Sequence, residues 1–249
     1  MFSFLILEKL IINLLMKILS VLLFVLATVT GMAQTLLVEE RTVKNEESID
    51  LNSWTARLDQ DMESCMDSYS AFIKETFKTK VEKRGKNILL AAKTQFPELS
   101  NLRLDQRAIF ITESSGTSVS FTFSPGYDIH FGKDSYKAEF AKAETFVKGF
   151  VRFHYDTYYE AQIKTIQDKI KSLQSDIDSN SKKTDKNNKA ITDNKSDGET
   201  DKSKSKNEKM TRENEQYTAD SASKRTQITD LESQLSKFNQ ALQKTIDFK

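Results

Sequence analysis

Apolar residues recur along this chain with two different periods, and the change from one to the other divides it into elements. Trp54, Leu58, Met62, Met66, Tyr69, Ile73, Phe77 and Val81 follow one another every three or four residues, the spacing of one face of a helix. The pattern predicts an amphipathic helix capped by Asn52 or Ser53 and ended or bent at Gly85. "NILLAAKTQF" predicts a second, shorter helix closed by Pro97. A polar arm, Gln34 to Asp50, precedes both, with "TLLVEE" as a short candidate strand.

The period then drops to two. "AIFITES" (Ala108 to Ser114) is rich in β-branched and aromatic residues, and "SVSFTFS" alternates strictly. Val119, Phe121 and Phe123 fall on one side, Ser118, Ser120 and Thr122 on the other. "YDIHF" extends the alternation through Tyr127, Ile129 and Phe131, with "SSGT" and "PG" as turns between the runs. These runs predict a three-stranded antiparallel meander with one apolar face, which requires helices to cover it.

From Asp134 or Ser135 the helical period returns. Tyr136, Phe140, Ala143, Val147, Phe150, His154 and Tyr158 mark a face that Phe146, Val151 and Phe153 widen. After Tyr158 the apolar stripe narrows to alternating steps of three and four: Ile163, Ile166, Ile170, Leu173 and Ile177, echoed by Ile228, Leu231, Leu235, Phe238 and Leu242. That rhythm is a coiled-coil seam, and the two copies predict an antiparallel hairpin. Residues facing each other in such a hairpin have numbers of constant sum. A sum of 401 aligns Ile166 with Leu235, Ile170 with Leu231 and Leu173 with Ile228. It then carries Asn187 onto Asn214, Ile191 onto Met210 and Asn194 onto Asn207, with the reversal beside Gly198. A sum of 408, pairing Asn194 with Asn214, is the competing register. Between the seams, residues 180–224 are so polar that they read either as the hairpin's polar tip or as a disordered loop.

Thirty-three residues at the N-terminus are a targeting segment by their pattern. "MKILSVLLFVLATVTGMAQ", from Met16, has a basic start (Lys17), an apolar run (Ile18 to Val29) and small residues, Gly31 and Ala33, at the cleavage positions. It resembles the signal peptides of Bacteroidota. The resemblance covers these residues only and implies cleavage after Ala33, with Met16 a second candidate start. The competing expectation is an uncleaved anchor, because Ile11 to Thr30 is long enough to span a membrane.

Composition adds exclusions. Lys and Arg number 37 against 36 Asp and Glu, so no net field draws nucleic acid to the protein. The cluster Lys78, Lys80, Lys83, Arg84 and Lys86 complements a helix C-terminus. A single cysteine, Cys65, cannot form an intramolecular disulfide, and its place among Met62, Met66 and Tyr69 marks it as a small buried hydrophobe. No phosphate-binding glycine loop, zinc-protease motif or nucleophile elbow occurs. "DKNNKAITDNKSD" has the oxygen density of a calcium loop but lacks its sixth-position glycine and acidic twelfth ligand. The aromatic group Phe146, Phe150, Phe153, Tyr155, Tyr158 and Tyr159 has core spacing rather than that of a ligand pocket. Two histidines remain, and Asp128 shares a predicted strand face with His130.

The reading is therefore an α+β protein, mostly α: a small three-stranded antiparallel meander packed on helices, with a long C-terminal antiparallel coiled-coil hairpin. Its expected organisation is a signal peptide (1–33), a compact α+β module (34–158) and the hairpin (159–249). The expected function is that of an exported, periplasmic or secreted, non-catalytic scaffold or protein-interaction protein that contacts a protein partner through the hairpin. No catalytic, metal or cofactor-binding residue is expected, and the membrane is a partner only if the N-terminal segment is retained as an anchor. A small β element with a helical hairpin is similar in shape to exported holdase chaperones, although their arms lie between parts of the β core and here the seam helices come last. The alternative is a ligand-binding or enzymatic α+β domain with a site near Asp128 and His130.

Overall fold

Alternation of side chains in the first third of the chain places two residue sets on opposite faces of a strand. Trp54, Ala56 and Leu58 point one way and Leu51, Ser53 and Thr55 the other, in a strand spanning Asp50–Leu58. The computed structural model describes residues 37–44, 48–196, 198 and 200–247; the expected signal peptide and its cleavage point lie outside them. Strands β1 (Val38–Lys44), β2 (Asp50–Leu58), β3 (Glu82–Arg84), β4 (Ile88–Gln95), β5 (Arg103–Glu113) and β6 (Gly116–Ser124) are joined by helix α1 (Met62–Phe77) and followed by α2 (Lys137–Ser196) and α3 (Asp201–Ile246). All six strands pair antiparallel in one sheet of order β1-β2-β6-β5-β4-β3.

This sheet corrects the expected three-stranded meander. The helix expected from Trp54 begins only at Met62, capped by Asp61, whose carboxylate accepts from the Ser64 amide. An interval of four is shared by both periods, since i and i+4 lie on one face of a helix and also on one face of a strand. Pairing of Trp54 with Phe121 and of Ala56 with Val119 resolves the ambiguity for Trp54 and Leu58 in favour of the strand. The second expected helix, "NILLAAKTQF", is strand β4. Ile88, Leu89, Leu90 and Ala91 are all buried, and a strand buried on both faces reads as an unbroken apolar run. Conversely, the expected third strand "YDIHF" is a turn. Tyr127 and Asp128 both take left-handed φ values, 56° and 57°, closed by an isolated bridge between Gly126 and Ile129. Gly85 lies in the β3–β4 turn rather than at a helix end.

Helix α1 and the first turns of α2 pack on one face of the sheet around an aromatic core. Phe121, Phe123, Phe140 and Phe150 are buried in it, and Trp54 and Phe77 pack against it, so the six residues share one core as their spacing suggests. Phe150 meets Tyr69 edge-on at 5.4 Å and Phe121 at 5.4 Å between ring centroids. Trp54 stacks on Phe140 and its indole N–H donates to the Phe140 carbonyl at 2.7 Å. Ser118, Ser120 and Thr122 are as inaccessible as the phenylalanines between them, against the expectation of a single apolar face. On that face Thr55 and Ser120 share a 2.8 Å hydrogen bond and Ser53 donates to the Arg41 carbonyl at 2.9 Å, while Thr122 Oγ1 has no hydrogen-bond partner among the described residues.

Beyond the core, α2 and α3 run as a helical hairpin. Helix α2 has 60 residues and α3 has 46, so from Tyr159 the pair projects roughly 55 Å. The register is the one with sum 401. Asn187 Nδ2 donates to Asn214 Oδ1 at 3.0 Å, Asn194 Nδ2 to Asn207 Oδ1 at 2.8 Å, and Asn180 Nδ2 to Ser221 Oγ at 3.3 Å. At the root Thr245 donates to Asp156, which keeps the same sum. The competing pair, Asn194 with Asn214, does not form: Asn214 bonds Asn187 and Asn188 instead. Residues 180–196 and 201–224 are helical. The reversal between them carries Gly198 at φ 91°, and Thr200 caps α3 through a reciprocal capping box with Ser203.

Candidate functional site

The described residues hold two places where polar chemistry concentrates: a buried knot at the root of the hairpin, and the hairpin itself. The knot forms where the β2–α1 loop (Asp59, Gln60, Asp61) meets helix α2. His154 Nε2–H donates to Gln60 Oε1 at 2.7 Å, and Tyr155 donates its hydroxyl to Asp59 Oδ1 at 3.1 Å. Thr117 donates to the Gln60 carbonyl at 2.9 Å, which binds the β5–β6 turn to the same loop. Gly116 makes this approach feasible: a Cβ there would sit 2.1 Å from the Leu58 carbonyl oxygen, on a backbone with φ +135°.

The electrostatics of the knot follow from burial. His154 is 3% exposed, and desolvation lowers its pKa to about 4, so the ring is neutral at physiological pH. With Nε2 donating, Nδ1 carries the lone pair and has no hydrogen-bond partner. Cys65 lies in the adjoining first turn of α1, its thiol directed to the Gln60 carbonyl at 3.7 Å and pushed up to about 12, chiefly by burial. A thiol held so far from ionisation is not a nucleophile, and this agrees with its reading as a small buried hydrophobe. Burial, reinforced by the Asp59 carboxylate, pushes Tyr159 up to about 12 as well. His154 is buried and Tyr155 packs in the core, whereas Asp59 at the edge of the knot is exposed. Chemically the knot is a clamp that holds the hairpin's root to the sheet.

The residues of the expected alternative site are elsewhere. Asp128 sits exposed in the left-handed turn and Tyr127 beside it is 97% exposed. His130 follows, and Phe131 returns to the core, stacked on Phe123. The turn breaks the strand face that would have aligned Asp128 with His130. Phe146, Phe150, Tyr155 and Tyr159 are core, as their spacing suggests, and no described pocket is lined by that aromatic group. Among the described residues no three of His, Cys, Asp and Glu lie close enough to hold a metal ion. The oxygen-rich run from Asp185 to Ser196 is helical, so its side chains do not converge as a calcium loop requires. Lys78 caps α1, donating to the Glu75 carbonyl at 2.8 Å, which accounts for part of the basic cluster by helix-end chemistry. Also among the described residues, no helix is long and apolar enough to cross a membrane.

The second place is the hairpin, whose two flanks differ. On one, Lys224 pairs with Asp220 at 2.6 Å and Asp176 at 3.4 Å, Asn180 donates to Asp220 at 2.7 Å, and Lys183 lies over the Tyr217 ring at 5.3 Å. The other flank is grooved. A groove of about 590 Å³ has Ile170, Ile228 and Leu235 in its floor and Gln167, Gln174 and Glu232 on its rims. A smaller one of about 180 Å³, between Ser181, Thr184, Thr218 and Arg225, continues it toward the tip. No known protein family, curated protein or solved structure matches this chain.

Proposed function

We propose that this is an exported, non-catalytic interaction protein whose helical hairpin is its contact element. One observation carries the reading. Past Tyr159 the chain commits two long helices to a projection of roughly 55 Å whose interior is a single narrow seam, much of it Asn, Ser and Thr. Such a seam adds little to the stability of the body. What it provides is reach and surface, at a fixed register. The body supports the reading from the other side, since its aromatic residues pack as core and the polar groups around His154 form a clamp. Export rests on the N-terminal pattern of basic start, apolar run and Ala33. A holdase-like activity fits less well, because the seam offers little apolar surface unless the helices part.

The test is a matched deletion that shortens the hairpin without changing its register, removing residues 178–191 and 210–223 together. Wild-type and shortened proteins are immobilised and exposed to envelope extract, and captured proteins are quantified by mass spectrometry. The expected outcome is a protein retained by the full hairpin and lost from the shortened one, with the melting transition of the body unchanged. Identical capture by both would place the contact surface on the body and overturn the reading.

A further inference from the structure

We propose that the grooved flank of the hairpin receives a second copy of this chain, packed antiparallel across a two-fold axis near Gln174. This deepens the interaction reading by naming one partner. Three observations on that flank carry it.

Among the described residues no other element packs on this flank, which is mostly uncharged where it borders the seam. Its heptad positions are Gln167, Gln174 and Ser181 on α2 and Thr211, Thr218, Arg225 and Glu232 on α3. The opposite flank presents Lys169, Asp176 and Lys183 against Glu213 and Asp220, and there the helices are laced by the Lys224 ion pairs. Both grooves open between the border residues of the first flank, and the smaller one reaches the seam residues Asn180 and Tyr217. Five of these seven border residues are neutral, and neutral side chains beside a half-covered apolar seam lose less on desolvation than laced charges.

Charges outside this border form a self-complementary series. Along α2 the next column, at seven-residue intervals, is Lys164, Lys171, Asp178, Asp185. All four are exposed, and none forms an ion pair among the described residues. Two cations followed by two anions at equal steps form a pattern that an antiparallel copy matches. Lys164 meets the other copy's Asp185, and Lys171 its Asp178, twice each by symmetry, about a centre at Gln174.

Helix α3 independently specifies the same centre. Its two charges on this flank, Arg225 and Glu232, are exposed and free of ion pairs among the described residues. An antiparallel copy pairs Arg225 with Glu232 reciprocally, about a centre near Ile228. In the observed register Ile228 faces Leu173, so the two centres lie within roughly 3 Å of one level. A single axis perpendicular to the hairpin therefore satisfies both helices, α2 against α2 and α3 against α3. The grooved length, Gln167 to Thr184, is roughly 25 Å and two helices wide, an area at the lower end of specific interfaces. The dimer should dissociate on dilution. Each tip reaches roughly 15 Å past the level of the other copy's Tyr159, alongside its body.

Sedimentation velocity of the full mature chain over a concentration series tests this. Wild type is expected to move from monomer to dimer as concentration rises, more readily at low salt. Reversing half the column, Lys164→Asp with Lys171→Asp, leaves four acids facing four acids and should weaken the dimer at least about tenfold. Completing the swap with Asp178→Lys and Asp185→Lys restores the antisymmetry and should restore the dimer. All four side chains are exposed and in no ion pair among the described residues, Asp178 accepting only a hydrogen bond from Gln174, so unchanged circular dichroism and melting control for folding. In a Cys65→Ala background, Gln174→Cys should cross-link copies and Lys169→Cys, on the laced flank, should not. A wild type that stays monomeric to hundreds of micromolar, about a hundredfold above a micromolar Kd, overturns the proposal. So does a dimer indifferent to the half-column reversal. Neither result bears on capture of another protein by the hairpin, which the matched deletion reads separately.

Discussion

The body and the hairpin of this protein solve the same problem, holding helices in place, with opposite materials. In the body, Phe72, Phe96, Phe121, Phe146 and Phe150 interlock at centroid distances of 5.4–6.0 Å, and stability comes from apolar area removed from water. In the hairpin's outer half, Asn180, Asn187, Asn194, Asn207 and Asn214 occupy the seam, and what they supply is register through directional hydrogen bonds. Hydrophobic contacts tolerate sliding by a heptad, as the competing sum of 408 illustrates, because any apolar residue suits any other. An Asn facing Asn tolerates it poorly, since a slip leaves amide groups without partners. The outer hairpin is therefore specific without being very stable, while the body is stable through packing that many side-chain exchanges could imitate.

The largest effect should come from emptying the body. Phe121→Ala and Phe150→Ala are each expected to cost about 3–5 kcal/mol, read as a fall in the midpoint of chemical denaturation. If both variants melt within a few degrees of wild type, the aromatic cluster is not what holds the body.

Acidification should loosen the joint between the two regions. His154's folded pKa, about 4, lies below its ordinary value, so the neutral ring favours the folded state. That stability is fully present above pH 6.5 and is lost as the pH falls from 6.5 to 4, by up to about 3 kcal/mol. His154→Gln, which keeps a donor for Gln60, should flatten this part of the stability–pH curve relative to wild type. Parallel curves for the two proteins would mean that the ring does not titrate between its folded and unfolded states.

The same joint can be disturbed without charge. Gly116→Ala drives a methyl group into the Leu58 carbonyl at a positive φ, and a cost of roughly 2 kcal/mol is expected. Wild-type stability in that variant would show that the β5–β6 turn moves away from the β2–α1 loop without penalty.

The smallest effect belongs to the hairpin and separates stability from register. Asn187→Leu with Asn214→Leu should change the melting temperature by only a degree or two, consistent with about 1 kcal/mol or less. Cysteine pairs tell the registers apart: with the asparagines in place, Ile191→Cys bridges to Met210→Cys (sum 401) and not to Tyr217→Cys (sum 408), in a Cys65→Ala background. After the double leucine substitution both bridges should form. Selective bridging in the leucine variant would show that register is set elsewhere.

The order of these effects follows what could be read from the chain alone. The two seams of the hairpin were legible, because threes and fours in two segments leave one integer, the sum of paired numbers, to be chosen; whether residues 180–224 form helix or loop was not legible, and the structure decided it. The choice of 401 aligned both the apolar layers and the asparagines. The membership of the aromatic core was legible too, since Phe121, Phe123, Phe140 and Phe150 had nowhere else to go. Only the tertiary structure decided the sheet. Trp54 and Leu58 obey both periods, and β2 is a strand because β1 and β6 offer it hydrogen bonds on both edges. Strand β4 carries no period at all, being buried on both faces. The turn at Tyr127 and Asp128 needed backbone geometry that alternation of side chains cannot express. Asp59 and Gln60 gave no local signal, for their roles exist only once helix α2, some ninety residues later in sequence, is laid across the loop. Local periodicity determines which faces are apolar, and pairing between distant strands determines which backbone carries them.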